Sequence, residues 1–330
     1  MEESKKIAVI GYGSWATALV RQLAGNGATV SWLVTNEDVR EGLETEGRNP
    51  KYLRDAEIDM SRVRLFTEVN EAVEGCGYIL LACPSAYLKG SLAGLSVPIA
   101  GKFVISAIKG IVPDECVTPL EYIHKAFGVP FHAMGLISGP SHAEEVSGGS
   151  VTYVSAVASS EETARDIKEL FESRTLIIDK STDIYGVEYA GVLKNIYAIV
   201  CGIATGLGYG DNFLAVLVSE AASEMKRFLR ESYPYERHIA NKTYLGDLLV
   251  TCYSNYSRNR RLGQLIGKGC SVKSALNEMT MVSEGYFSAR LIQKIKAEKN
   301  IPMPIVDLAC SILYENARPR RAMAELAKKL

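Results

Sequence analysis

Chemistry in this sequence concentrates in three places. Near the N-terminus, Ile7-Ala8-Val9-Ile10 runs into Gly11-Tyr12-Gly13-Ser14-Trp15-Ala16, and a helical pattern continues to Gly25. This is G-x-G-x-x-A: Gly11 permits a tight turn, Gly13 lets a pyrophosphate approach the backbone, and Ala16 allows close helix–strand packing. Free N–H groups at the start of such a helix receive an anion. A glycine-rich turn with no ligand is the plainer reading of the hexapeptide alone. With its flanking strand, helix and second strand at Thr29–Val34, the pattern predicts dinucleotide binding. Trp15 reads equally as a cofactor contact or as core packing. The second strand ends in Val34-Thr35-Asn36-Glu37, with neither an acid placed for a ribose 2′-hydroxyl nor an arginine placed for a 2′-phosphate, so NAD against NADP stays open.

Lys194 stands in Gly191-Val192-Leu193-Lys194-Asn195-Ile196-Tyr197-Ala198, where a helix would give it Val187, Ala190, Gly191, Tyr197, Ala198, Cys201 and Thr205 as face neighbours. Lysine is rarely buried unless paired. Desolvation would lower its pKa and make it a proton donor or acceptor near neutral pH. The alternative is a lysine whose head reaches water. The third place is Gly246-Asp247-Leu248 through Ser254 and on to Ser257-Arg258-Asn259-Arg260-Arg261. If helical throughout, Asp247, Thr251, Ser254 and Arg258 share one face. Arg258 would grip a phosphate, helped by Ser257 and Asn259. An Asp247 helix cap and a solvated arginine cluster are the bland alternatives. The run Arg318–Arg321 with Lys328-Lys329 reads as a solvated tail.

These residues need a scaffold. β-branched runs at Ile7–Ile10, Thr29–Val34, Val63–Phe66, Tyr78–Ala82, Phe103–Ile108, Ala133–Ile137, Thr152–Val157 and Leu176–Ile178 alternate with helical patterns such as Ser14–Ala24 and Glu161–Glu172. That alternation predicts βαβ units and a mainly parallel, doubly wound sheet. Beyond about residue 181 the strand signal fades into helical patterns, beginning with Asp183–Leu207 and Phe213–Arg230. The expected division is a Rossmann-type dinucleotide-binding domain over 1–181 and an all-α substrate domain over 182–330.

Lys plus Arg (37) balances Asp plus Glu (38), which argues against a broad nucleic-acid or anionic-membrane surface but leaves room for a local basic pocket. Seven scattered cysteines and four histidines form no metal pattern and suit a reducing compartment. The N-terminal residues Met1–Lys6 lead into too short an apolar run for a signal peptide, and no uninterrupted apolar run is long enough for a membrane span. A cytoplasmic protein without a metal is expected.

Taken in order, Gly11–Ala18, Asn49-Pro50-Lys51-Tyr52-Leu53, Pro84-Ser85, Ile108-Lys109-Gly110, Gly139-Pro140-Ser141-His142-Ala143, Leu193-Lys194-Asn195, Gly210-Asp211-Asn212, Gly246-Asp247-Leu248, Ser257-Arg258-Asn259 and Ser283-Glu284-Gly285 resemble the bacterial NAD(P)-dependent glycerol-3-phosphate dehydrogenases across nearly the whole chain. The resemblance implies reduction of dihydroxyacetone phosphate to sn-glycerol 3-phosphate for glycerophospholipid synthesis. It implies a 6-phosphogluconate-dehydrogenase-like pair of domains with the site between them. Lys194 becomes the proton donor and acceptor, with Asp247 orienting it or a substrate hydroxyl. Lys109, Gly139, Ser141, Asp247, Ser257, Arg258 and Asn259 become substrate contacts. Ser14, Trp15, Lys109, Ala143, Arg258, Val282 and Glu284 become cofactor contacts beside Gly11, Gly13 and Ala16.

Three positions depart from the family pattern. Thr35 stands where a basic residue is common, His142 where an aromatic or amide is common (read here as packing), and Cys83 precedes Pro84-Ser85. Competing readings are another two-domain hydroxy-acid or sugar-acid dehydrogenase, and a non-catalytic NAD(H)-binding redox sensor. A homodimer is a further expectation from the apolar helices, while flux direction and feedback control have no sequence signal.

Overall fold

The central apolar runs of the first half become strands buried on both faces. The computed structural model describes residues 5–279 and 281–330; the N-terminal reading of Met1–Ser4 lies outside the described residues. The chain divides into two units, one of Met1–Ile108 with Pro119–Ile184, the other of Lys109–Thr118 with Tyr185–Leu330. Lys109 therefore belongs to the second unit, through a ten-residue excursion within the first half of the chain.

In the first unit the described residues form β1 (Lys6–Ile10), β2 (Thr29–Leu33), β3 (Val63–Phe66), β4 (Tyr78–Leu81), β5 (Phe103–Ser106), β6 (Met134–Ser138), β7 (Thr152–Ala158) and β8 (Leu176–Ser181). Their order is β3-β2-β1-β4-β5-β6-β7-β8. Pairing is parallel from β3 across to β6, β7 runs antiparallel to β6, and β8 runs parallel to β7. Helices covering both faces explain why these strands read as continuous apolar runs rather than alternating ones. Ile7, Val9, Leu19, Leu23, Val30, Trp32, Leu80, Ile105 and Ile137 belong to one core. The order of the strands reverses around β1, and the glycine turn follows β1, the position at which open α/β sheets bind ligands.

The second unit is built on the helix Ile184–Gly206, buried without interruption from Gly186 to Ala204. It is long and apolar enough to span a membrane, but all of it except its ends is buried inside the protein, which makes it a core helix. Its mean hydropathy passes that test although Glu188 and Lys194 interrupt the apolar run. Glycines let neighbouring backbones touch it. A Cβ on Gly202 would lie 2.0 Å from the Arg260 carbonyl oxygen, and one on Gly263 2.0 Å from that of Ile199. Gly206 and Gly267 repeat the approach one turn on. The helix Arg258–Gly267 thus lies against Ile184–Gly206 backbone to backbone, and side chains at its N-terminal end are carried to within bonding distance of Asn195.

One expectation needs correction and another needs refining. The helix Asp247–Tyr253 ends at Ser254, which turns extended (ψ 140°), and a new helix starts at Arg258 with Ser257 capping the Arg260 N–H. The continuous face through Ser254 and Arg258 therefore does not exist; Asp247 and Thr251 alone keep it. The C-terminal basic residues Arg318, Arg320, Arg321, Lys328 and Lys329 are solvated as expected, but they sit on and beside a packed helix, Pro319–Ala327, that buries Met323 and Leu326. The helix Glu37–Glu46 carries little sequence signal, because only Val39 and Leu43 of its ten residues are buried.

Gly202→Ala should lower stability by about 1–3 kcal/mol, the usual range for overpacking, because the obstacle is main chain rather than a movable side chain. Denaturant unfolding measures it; an unchanged midpoint would mean that the two helices do not cross this closely.

Candidate active site

The first unit carries the glycine turn. Gly11 has φ +115°, and a Cβ there would sit 2.5 Å from the Cys83 amide nitrogen, so only glycine fits. The Trp32 indole N–H donates to the Gly11 carbonyl at 2.7 Å. Asn49, fully buried, donates to the Tyr12 carbonyl and to Thr17 Oγ1, both at 2.9 Å, which ties the Asn49–Leu53 motif to the turn. Gly13 stands at the capping position of helix Ser14–Gly25 with no side-chain cap and open space around its missing Cβ. The first amides of that helix thus lack an intrahelical acceptor and a capping side chain from Gly13. The Trp15 indole N–H is buried without a partner, while its ring packs against the small cluster of Ala18, Ala143 and Val146. The packing read from its sequence position is thus present, and the buried indole N–H stays open to a ligand acceptor. An uncapped helix end beside a bare glycine and an orphan donor fits a dinucleotide pyrophosphate. Gly139 (φ +139°), Ser141 and Ala143 follow β6 in this unit, Ser141 Oγ donating to the Gly139 carbonyl at 3.0 Å. His142 is half-buried at the start of helix Ala143–Ser147.

The second unit carries the charges. Lys194 is 6% exposed, which removes the water-reaching alternative. Its Nζ donates to Asp247 Oδ1 at 2.5 Å and to Thr251 Oγ1 at 3.0 Å, and Thr251 Oγ1 donates back to the Asp247 carbonyl at 2.6 Å. Lys109 Nζ takes the other carboxylate oxygen, Asp247 Oδ2, at 3.1 Å. The Lys109 stem lies on the bare Cα of Gly191, one turn before Lys194. One carboxylate thus faces two ammoniums. Burial drives the Lys194 pKa down; Asp247 opposes the fall and the Lys109 charge adds to it, leaving the group at about 7.

A chain of amides surrounds this centre. The main-chain N–H of Gly285 can only donate, so it fixes which end of Asn259 faces it: Oδ1 accepts from Gly285 N at 2.9 Å and from Ser283 Oγ at 2.7 Å. Asn259 Nδ2 then donates to Asn195 Oδ1 at 2.9 Å, and Asn195 Nδ2 to the Lys109 carbonyl at 2.6 Å. Beside it, Ser257 and Arg258 line a cavity with Asn255, Tyr256, Arg261, Met279 and Met281. Arg258 is exposed there at the N-terminus of its helix, where guanidinium and helix amides together suit a phosphate.

Residues 6–164 match the family described as NAD-dependent glycerol-3-phosphate dehydrogenase N-terminus, and residues 183–324 match its C-terminus. The chain belongs to the NAD-dependent glycerol-3-phosphate dehydrogenase family. A relative from Chlorobium phaeobacteroides, glycerol-3-phosphate dehydrogenase (NAD(P)+), is 37% identical over 97% of this chain and 96% of its own. One of the same description from Clostridium perfringens is 34% identical over 98% and 97%. The solved structure of glycerol-3-phosphate dehydrogenase from Coxiella burnetii superimposes with a TM-score of 0.89 at 29% identity, covering 98% of this chain and 99% of that one.

Of the positions that the family resemblance marks, the second unit brings Lys109, Lys194 and Asp247 into direct contact and joins Asn259 to them through Asn195. Ser257 and Arg258 adjoin Asn259 in sequence and line the neighbouring cavity. Val282 and Glu284 flank Ser283 at the start of helix Glu284–Glu298. Gly11, Gly13, Ser14, Trp15 and Ala16 share the glycine turn of the first unit. The structure adds three residues to these. Thr251 had a signal in the sequence, its spacing of four from Asp247; Asn195 had one too, adjacency to Lys194; Ser283 had none beyond its motif.

Asp247→Asn leaves two ammoniums against a neutral amide. We expect a loss of about 3–5 kcal/mol at pH 6, where Lys194 is charged in the native protein. The loss should shrink at pH 9, above the native Lys194 pKa of about 7, where the attraction has already lapsed. Denaturant unfolding at the two pH values measures it, and equal losses would contradict the pairing.

Proposed function

We propose that this protein reduces dihydroxyacetone phosphate to sn-glycerol 3-phosphate, and catalyses the reverse, with NAD or NADP as coenzyme. The carrying observation is Lys194, a lysine whose burial, opposed by Asp247 and reinforced by Lys109, lowers its pKa to about 7. Family membership supports the activity, and the family relatives' NAD(P)+ names support either coenzyme. The product would feed glycerophospholipid synthesis, and cysteines that form no disulfide suit a cytoplasmic setting.

The substrate is a small ketone bearing a dianionic phosphate. In this proposal Arg258, the Ser257 hydroxyl and the first amides of helix Arg258–Gly267 hold the phosphate. The Asn259 side chain already makes three bonds within the protein, so its share is the remaining Nδ2 hydrogen and its main-chain N–H. Bound nicotinamide supplies the hydride chemistry, and the protein supplies position and charge. Gly11, Gly13, Ser14, Trp15 and Ala16 would hold the dinucleotide. As negative charge develops on the carbonyl oxygen, the Lys109 and Lys194 ammoniums stabilise it. Lys194 Nζ then gives up a proton, and Thr251 and Asp247 keep the resulting amine in place. In oxidation the neutral amine accepts that proton from the substrate hydroxyl.

Lys194→Ala should cut turnover by about 10²–10⁴-fold, the usual span for a general acid. In the wild-type protein, kcat/KM for reduction should fall above pH about 7 and that for oxidation should fall below it. Arg258→Ala should raise KM for dihydroxyacetone phosphate far more than for unphosphorylated dihydroxyacetone. Near-native turnover by Lys194→Ala, monitored at the nicotinamide absorbance, would sink the assignment.

A further inference from the structure

The helix Glu284–Glu298 starts on an unusual cap. Ser283 occupies the capping position, yet its hydroxyl makes no bond to the helix's own first turn. That hydroxyl donates to Asn259 Oδ1, and the same oxygen accepts the Gly285 N–H. The helix is therefore capped in trans, by a side chain 26 residues earlier in the sequence. Ser283 and Asn259 are 4% and 7% exposed, so water does not replace a broken bond here. The junction is also sterically tight: a Cβ on Gly285 would meet the Asn195 carbonyl oxygen at 2.4 Å.

We propose that Ser283 is a positioning residue that couples the binding of dinucleotide to the binding of phosphorylated substrate. The inference rests on the function proposed above, with the phosphate on Ser257 and Arg258, and on the coenzyme contacts that the family resemblance implies for Val282 and Glu284. On that reading Ser283 lies between two coenzyme-contacting residues and Asn259 follows two phosphate-contacting ones, so ordering either segment orders the other. The first ligand meets the entropic penalty of fixing both, and the second binds to a segment already set. The coupling is reciprocal, as linkage requires. Glu284 and Arg258 bring the nearby charge, and the bond between the two segments is itself neutral, so the effect should persist at raised salt.

The test titrates NADH into the full-length protein by fluorescence, with and without saturating sn-glycerol 3-phosphate, a pair that cannot react with each other. For the wild type, glycerol phosphate should tighten NADH by about fivefold or more, the lower end of usual coupling. Ser283→Ala should bring that ratio to within about twofold of unity while NADH alone binds within about threefold of wild type, a split that a general loss of structure would not produce. Ser283→Cys, close in size with a weaker donor, should give an intermediate ratio, and it carries the test if Ser283→Ala does not fold. A wild-type ratio of one, or an unchanged ratio in the variants, overturns the coupling. Turnover of dihydroxyacetone phosphate by the same wild-type preparation separates the two claims. Turnover with an unaltered ratio sinks only the coupling, whereas no turnover sinks the function on which it rests.

Discussion

One carboxylate shared between two buried ammoniums is the constraint on which the rest of the second unit depends. Burying an ammonium costs several kcal/mol even after the protein relaxes, and Asp247 offsets that for Lys194 only in part, because Lys109 draws on the same group. The balance leaves Lys194 close to half-protonated at neutral pH. A fully paired lysine would stay charged, and an unpaired one at this depth would stay neutral. The intermediate state suits a group that must both give and take a proton. Maintaining it requires that three side chains from separate stretches of chain keep their distances, and the surrounding helices hold them there with main-chain contacts.

Those contacts explain the glycines. Gly202, Gly206, Gly263 and Gly267 remove the Cβ atoms at four points of closest approach between two helices, one carrying Lys194 and Asn195, the other carrying Arg258 and Asn259. A bare Gly191 receives the Lys109 stem, and a bare Gly285 meets the Asn195 carbonyl. Consecutive residues of one helix then take separate roles. Lys194 meets the carboxylate, and Asn195 holds the Lys109 main chain at the distance that lets its ammonium meet the same carboxylate. A buried carboxylate serves the scaffold elsewhere in this unit, where Glu224 accepts the Ile305 and Val306 N–H groups and caps helix Pro304–Tyr314 in trans.

The sheet was legible because its central strands, covered on both faces, must be continuously apolar, and all eight runs lie where strands formed. The glycine turn was legible because its function dictates its residues. Lys194 stood out by its charge in an apolar stripe. The break at Ser254 was not visible, since nothing in Thr251–Ser257 forbids helix and the change comes from Ser257 capping a new one. The amide chain was hidden because its members lie 24 to 86 residues apart and each is unremarkable alone. Lys109 read as part of the first domain because the excursion Lys109–Thr118 carries no composition shift. Only the family resemblance linked that residue to the site in advance.

The central claim is a statement about one ionisation, and it is most directly tested by following it. Heteronuclear NMR of the Lys194 side chain in the unliganded wild-type protein, assigned by its loss in Lys194→Arg, should give a titration midpoint near pH 7. A midpoint near the ordinary lysine value of 10.5 would mean that Asp247 fully compensates the buried charge. The account of a lysine balanced between donor and acceptor would then be wrong.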